Sequence, residues 1–509
     1  MSTLQLDGRS LSTDSFHQVV VDGRAVALAE EARCRIAASR AVIERLVDSG
    51  ATVYGVTTGF GQLSDRRISH QQLRALQVNL VRSTACGVGE PLEEAETRGM
   101  LLLRANVLAA GFSGVREAVV DLLCEMLNRR VHPVVPSRGS VGASGDLAPL
   151  AHLALALMGE GEALYEGHRI PAGEALRAAG LAPIELQAKE GLGLLNGTQA
   201  MLSLGLILLR QAQILADTAD VIGGLTLDAL RGTPAAFDAR IHAVRPHPGQ
   251  QQSARNLLRM NEGSQIRESH RSLDADPRIQ DAYSLRCMPQ VHGAARDAVA
   301  HVRRVLEIEL NSATDNPLIF AAGPGVGEVL SGGNFHGQPV ALALDFLALA
   351  LQTLAGISER RTERLVNPFL NEGLPAFLAS EPGLESGFMT PQVVAAALVS
   401  ENKVLAHPAS ADSITTSGNK EDFVSMGMGA ALKLKQVARN TCLVLAAEAL
   451  CAAQALDYRA PLRTGPRGRR ACELIRSVSP RLTTDRPLAS DLDAAAALIS
   501  SGRLRAVLE

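Results

Sequence analysis

The chain has 509 residues, a formal net charge of −3, 46% apolar residues and 20% charged residues. That apolar content with so little net charge excludes a disordered chain, and the lack of a basic field argues against a nucleic-acid partner. Eleven Phe, four Tyr and no Trp, set among abundant Ala and Leu, favour helices over strands.

The chain starts Met1-Ser-Thr-Leu-Gln-Leu-Asp-Gly-Arg, with no apolar stretch of the kind a secretory signal needs. The seven cysteines, Cys34, Cys86, Cys124, Cys287, Cys442, Cys451 and Cys472, are odd in number and contain no Cys-x-x-Cys pair. A reduced, cytoplasmic protein without disulfides or a cysteine metal site is expected. Helical spacing of apolar residues predicts a helix over 25–46, ended by Ser49-Gly50. The stretch Tyr54-Gly-Val-Thr-Thr-Gly-Phe-Gly61 reads as a loop, and its three glycines allow mobility. Helical patterns follow over 71–82 and 94–127. Residues 136–149 form a loop rich in Gly and Ser that runs into an apolar helix over 150–158. Asp146 suits the N-cap of that helix and Pro149 its first turn.

From Asn196 onward long helices are predicted over 198–223, 291–310, 339–366, 392–405 and 426–456. The third must stop before Asn367-Pro368. Its most apolar part, 339–357, is interrupted by Asp345 and Gln352 and reads as a buried helix, so no membrane partner is expected. Breaks are predicted at 245–249, 321–333 and 461–470. Helices near thirty residues suggest a bundle whose core can extend across subunits.

The obvious motifs fail. Gly139-Ser-Val-Gly-Ala-Ser-Gly145 lacks the Gly-Lys-Ser/Thr ending of a P-loop. Gly323-Pro-Gly-Val-Gly327 has the wrong spacing for a dinucleotide fingerprint. Ser144 lies in Gly-Ala-Ser-Gly, not Gly-x-Ser-x-Gly. His242, His247, His292, His336 and His407 have no His-Glu-x-x-His spacing and read as structural, so no metal is expected. The arginines at 459, 463, 467, 469 and 470 read as a solvated loop or a subunit contact.

In its surroundings, Gly-Ser-Val-Gly-Ala-Ser-Gly-Asp-Leu-Ala-Pro-Leu-Ala-His, the triplet Ala143-Ser144-Gly145 resembles the prosthetic-group segment of the aromatic amino acid ammonia-lyases, the histidine and phenylalanine ammonia-lyase family. The resemblance covers nearly the whole chain. It takes in the Tyr54–Gly61 stretch, Lys189-Glu-Gly-Leu-Gly-Leu-Leu-Asn-Gly-Thr-Gln, Arg245-Pro-His-Pro-Gly-Gln and Gln280-Asp-Ala-Tyr-Ser-Leu-Arg-Cys-Met-Pro-Gln-Val-His-Gly. It continues through Ser331-Gly-Gly-Asn-Phe-His-Gly, Ser400-Glu-Asn-Lys and Asn419-Lys-Glu-Asp. It implies a mainly all-α fold, with a mixed N-terminal region over 1–195 carrying the Tyr54 loop and the triplet. A central helical bundle and C-terminal helices would occupy 196–509. It also implies a homotetramer whose active sites gather residues from several chains.

The resemblance further implies a 4-methylidene-imidazol-5-one (MIO), closed autocatalytically from Ala143, Ser144 and Gly145 with loss of two waters and no external cofactor. The residue types suit that chemistry. Glycine permits the tight backbone approach, alanine is small, and serine carries a hydroxyl that can leave to give a C=C bond. An electrophile needs no base beside it, unlike a serine nucleophile, which fits the missing hydrolase motif. The implied reaction is non-oxidative loss of ammonia from an L-aromatic amino acid to give a trans-α,β-unsaturated acid.

By the same resemblance, Tyr54, on the loop ending at Gly61, is the general base for the β-proton. A tyrosine that ionises near pH ~10 needs help from nearby positive charge to act so. Arg286 resembles the substrate carboxylate anchor, since a planar guanidinium can hold both oxygens. Tyr283 matches a tyrosine near the MIO and the amine. Asn196 and Gln280 match positions that hydrogen-bond the MIO or the substrate, Phe335 an aromatic packed beside them, and Glu421 a pocket residue near the amine or the ring. Ser83 and Thr84 occupy the ring-pocket positions. Histidine-type enzymes usually have His where Thr84 stands and share Glu421. Phenylalanine-type enzymes commonly have Gln at the position of Glu421. The two signals conflict, so histidine and phenylalanine or tyrosine both stay open as substrates. An aminomutase that returns the amine to the β-carbon, and an inactive structural homologue, are the other readings.

Overall fold

The computed structural model describes residues 2–59, 68–272, 274–276 and 278–509, without the side chain of His70. Helices make up 59% of it, and the strands of the described residues form only small sheets of two or three strands. The expected mainly helical fold is therefore found.

The chain divides into two compact units. The first is Met1–Ile207, Arg304–Leu344 and Pro408–Leu432; the second is Leu208–Arg303, Asp345–His407 and Lys433–Glu509. The first unit runs past the expected boundary at 195/196 and takes back two later segments. All the small sheets of the described residues lie in it, one of them, over 318–330, outside the expected N-terminal region.

Within the first unit the predicted helix over 25–46 begins late. Val26–Leu28 is instead a strand, paired in parallel with Leu4–Leu6, and the helix is Glu30–Asp48. The pattern over 94–127 is two helices, Glu94–Ala109 and Glu117–Asn128. Gly111 and Gly114 interrupt it, both at positive φ, where a Cβ on Gly111 would meet Arg35 at 2.5 Å. Helical spacing on both sides hid a turn that only glycine can make. The Glu94–Ala109 helix is buried nearly all round, as suits a central element. The segment 321–333 is not a plain break: Leu318–Gly323 and Val326–Leu330 form an antiparallel hairpin. Its Ile319 packs with Val42, Ile43, Val56 and Leu73 in one apolar cluster.

The long helices match the sequence reading closely. They are Gln199–Ala229, Met288–Leu310, Gln338–Val366, Met389–Leu405 and Gly427–Tyr458. Gln338–Val366 stops where Asn367-Pro368 requires. Residues 461–470 are only partly a break, because the helix Pro466–Arg476 starts there with proline in its first turn. Gln199–Ala229, Gln338–Val366 and Gly427–Tyr458 are long and apolar enough to cross a membrane, yet most of each apolar stretch is buried within the protein.

In the second unit the helices enclose a chain of buried charges. Glu448 accepts from Arg361 Nε at 2.6 Å and Nη2 at 2.8 Å, and from the hydroxyls of Thr226 and Ser358 at 2.7 and 2.6 Å. Arg361 Nη1 lies 3.2 Å from His292 Nε2, and His292 Nδ1 lies 2.8 Å from Asp220. A guanidinium can only donate, so His292 Nε2 accepts and its single proton sits on Nδ1, facing Asp220. Arg296, Asn256 and Ser253 complete the shell of Asp220. The histidines expected to be structural include this one, and its ring is wholly buried.

Burial holds the His292 pKa below its usual value, against the opposing Asp220 bond. Burial also pushes Asp220 up, but the Arg296 charge and the His292 bond outweigh it and hold Asp220 at about 2. Both groups bind fewer protons folded than unfolded, so stability is lost as pH falls, first below ~6.5 and again below ~4. Arg361→Met strands the Glu448 charge and is expected to cost about 3–5 kcal/mol. Urea midpoints at pH 7.5 check this; a change under 1 kcal/mol would mean that Glu448 is not held as a buried carboxylate.

Candidate active site

The loop before the Leu147–Leu157 helix is shaped by glycines. Gly139, Gly142 and Gly145 all take positive φ. A Cβ on Gly142 would meet Ser425 Oγ at 2.1 Å, and one on Gly145 would meet the Gly197 carbonyl oxygen at 2.2 Å. No other residue fits at Gly145, because the backbone there lies directly against the backbone of Gly197. The two glycines form a parallel bridge in which Asp146 N–H donates to Gly197 O at 2.7 Å. The pairing uses the N–H of Asp146 and not that of Gly145.

Asp146 stands at the N-cap position of its helix, as expected, but its side chain does not cap that helix. Its Oδ2 accepts from Met201 N at 2.8 Å, in the first turn of the Gln199–Ala229 helix, and its Oδ1 accepts from Ser140 Oγ at 3.0 Å. It therefore ties the loop to a second helix. Complete burial pushes its pKa up to about 6, against the Met201 and Ser140 hydrogen bonds. Pro149 falls in the first turn, as read from the sequence.

Ala143 is buried and Ser144 half-buried. Ser144 Oγ donates to Glu421 Oε1 at 2.7 Å across 277 residues of sequence. The other oxygen of Glu421 accepts from Thr416 Oγ1 at 2.7 Å and Ser417 Oγ at 2.8 Å, so the carboxylate is oriented from both ends. Ser425 Oγ donates to Gly142 O at 3.1 Å and Met426 N to Val141 O at 2.9 Å, which fastens the segment carrying Glu421 to the loop. Asn196 is buried at the end of the Glu190–Leu195 helix, and its Nδ2 donates to Asn316 O at 3.3 Å. Its Oδ1 is buried without a hydrogen-bond partner among the described residues. Asn316 Oδ1 in turn accepts from Ser331 and Gly332, ahead of the half-buried Phe335.

Tyr54 is half-buried in a turn. The residues after it are anchored: Val56 is in the apolar cluster, and Thr57 Oγ1 donates to Ala51 O at 2.6 Å. Gly61 lies outside the described residues. Ser83 and Thr84 end the Leu73–Thr84 helix, where the sequence put the helix end. Both hydroxyls turn back onto Leu80 O, at 3.1 and 2.7 Å, so their donors are spent on their own helix.

Gln280, Tyr283 and Arg286 belong to the second unit. Tyr283 is exposed, and the Arg286 guanidinium lies 4.5 Å over its ring. Arg286 Nε donates to Asp281 O at 3.0 Å, which leaves the two Nη groups outside that bond.

Sequence reasoning missed Arg104, Gln199, Asn316, Thr416, Ser417 and Ser425, and saw Asp146 only as a cap. For Arg104 a signal was present: it is the one charge in Leu101-Leu-Leu-Arg-Ala-Asn-Val-Leu108, and a charge in a buried run demands dedicated partners.

A family model described as aromatic amino acid lyase matches residues 11–477. A histidine ammonia-lyase of Koribacter versatilis (strain Ellin345) is 61% identical, over 99% of this chain and 99% of its own. The crystal structure of histidine ammonia-lyase from Trypanosoma cruzi superposes with a TM-score of 0.91 at 44% identity, over 100% of this chain and 95% of that one. That of tyrosine aminomutase from Streptomyces globisporus gives 0.94 at 37% identity, over 99% and 98%. With a loop folded around Ala143-Ser144-Gly145 and relatives alike from end to end, this chain belongs to the aromatic amino acid lyase family and is an ammonia-lyase.

Proposed function

We propose that the chain eliminates ammonia from L-histidine to give urocanate, and that it does so with an MIO closed from Ala143, Ser144 and Gly145. The observation that carries the substrate is the Glu421 carboxylate, held 2.7 Å from Ser144 Oγ. An acceptor there can take the N–H of an imidazole, and a phenyl ring offers nothing in return. The relatives named histidine ammonia-lyase support the same choice. Thr84 supplies no donor to a ring, because its hydroxyl is engaged with Leu80 O, so the imidazole N–H is left to Glu421.

The residues present fit the prosthetic group. Gly145 is held where no side chain could stand, and the Ser144 hydroxyl has a carboxylate beside it. When formed, the ring supplies an electrophilic methylidene carbon for the substrate amine, which makes ammonia a better leaving group. Tyr54 then takes the β-proton as general base. Arg286 holds the substrate carboxylate through its Nη groups, with Tyr283 and Gln280 beside it. Asn196 precedes Gly197, which is bridged to Gly145, and Phe335 is assigned to the packing around the substrate. A homotetramer that combines residues of several chains in each site, in the cytoplasm, completes this reading.

A substrate panel tests it. Urocanate, cinnamate and coumarate have distinct ultraviolet spectra, and β-amino acids separate by chromatography. Histidine is expected to have the highest kcat/KM. Faster turnover of phenylalanine or tyrosine, or a β-amino acid as main product, would overturn the assignment. Glu421→Gln is expected to lower kcat/KM for histidine relative to phenylalanine roughly ten- to a hundredfold, the worth of one hydrogen bond to a charged group. An unchanged ratio would remove Glu421 from the ring pocket.

A further inference from the structure

Arg104 is a fully buried cation on the Glu94–Ala109 helix, with no salt bridge among the described residues. The neighbouring carboxylate, Asp315, is taken by Lys189 at 2.9 Å. Arg104 Nη1 instead donates to the Asn196 carbonyl at 2.5 Å and to Gln199 Oε1 at 2.9 Å. Gln199 Nε2 donates onward to Thr314 Oγ1 at 2.7 Å. Burial lowers the Arg104 pKa to about 10, so it stays charged at neutral pH. A buried charge spent on a backbone carbonyl is costly unless that carbonyl must be held. The held segment is the one that registers the prosthetic loop. Gly197 follows Asn196, its φ is +145°, and a Cβ on it would meet Gln199 Oε1 at 2.3 Å and Arg104 Nη1 at 2.8 Å. Its other side carries the bridge to Gly145.

We propose that Arg104 is a positioning residue for ring closure: it pins Asn196-Gly197 so that Gly197 holds Gly145 in the compact form that brings its nitrogen to the Ala143 carbonyl. The proposal rests on the MIO reading above. Closure forms a bond from Gly145 N to the Ala143 carbonyl carbon. The Ala143 oxygen leaves as water with the amide protons of Gly145 and Ser144. The Ser144 hydroxyl leaves as a second water with the Ser144 Cα hydrogen, so no oxidant or reductant is needed.

The test is the intact mass of the purified full chain. The wild type is expected to be lighter than its sequence by two waters; the full sequence mass in the wild type would overturn the MIO reading, and this proposal with it. Arg104→Met, folded by circular dichroism, is expected to close the ring roughly tenfold or more slowly, the worth of one charge-assisted hydrogen bond, and so to retain the unclosed mass after expression. Leu123→Ala, a core deletion in the Glu117–Asn128 helix, serves as the control for reduced stability and is expected to be fully closed. Arg104→Lys keeps the charge and a donor nitrogen but not the planar fork, so it should close to an intermediate extent. It carries the test if the Met variant does not fold. Closure in the Arg104 variants as complete as in Leu123→Ala would reduce Arg104 to a packing residue.

Discussion

Ser144→Ala is expected to remove turnover by several orders of magnitude while leaving the fold intact. Enzymes of all kinds lower barriers by at least ~8 kcal/mol, and an elimination whose electrophile is missing forfeits most of that gain. The substitution deletes only one hydroxyl. The hydrogen bond from that hydroxyl to Glu421, worth about 1.5–3 kcal/mol at most, exists only before closure, so the mature fold does not depend on it. Ala143, Gly145 and the bridge to Gly197 remain, since none of them uses the Ser144 side chain. The measurement is kcat/KM with histidine, alongside intact mass, which should equal the full sequence mass. Turnover near that of the wild type would sink the prosthetic-group assignment.

Tyr54→Phe should separate chemistry from maturation. Tyr54 is proposed to take the β-proton, and general-base catalysis contributes ~10²–10⁴ in rate. The loop's anchors, Val56 in the apolar cluster and Thr57 on Ala51 O, do not involve the phenol. The variant is therefore expected to keep the two-water mass loss and near-normal KM, with kcat down by ~10²–10⁴. If kcat held while KM rose, Tyr54 would be a substrate-packing residue and another base would have to be sought.

The elements legible in the sequence were those fixed by residues close together in the chain. The five long helices declare themselves by apolar spacing and by the proline after Val366, because propensity and hydrogen bonding act over three or four residues. The Ala-Ser-Gly triplet and the glycines around it are equally local. The errors came where local signals run on through a tertiary demand. Residues 94–127 have helical spacing, and the turn at Gly111 and Gly114, packed against Arg35 and Ile43, splits them. Val26–Leu28 pairs with Leu4–Leu6, a partner that periodicity within one segment cannot reveal.

The site depended on long-range meetings. From the sequence, Thr84 and Glu421 gave conflicting signals about the ring. Folding separates them: the Thr84 hydroxyl closes on its own helix at Leu80, while Glu421 crosses 277 positions to reach Ser144. A side chain's chemistry is written in its residue type, but whether its hydrogen-bonding capacity is free is decided by rotamer and neighbours. Arg104 shows the same division. Its charge stands out in an apolar run, yet its partner, the Asn196 carbonyl 92 positions away, is a backbone atom that no residue type announces. The sequence by itself determined the family, the helices and the triplet, because those follow from local pattern and residue chemistry. Only the tertiary structure decided which carboxylate meets the triplet and which cation holds its backing strand, because those contacts are made by packing across the whole first unit.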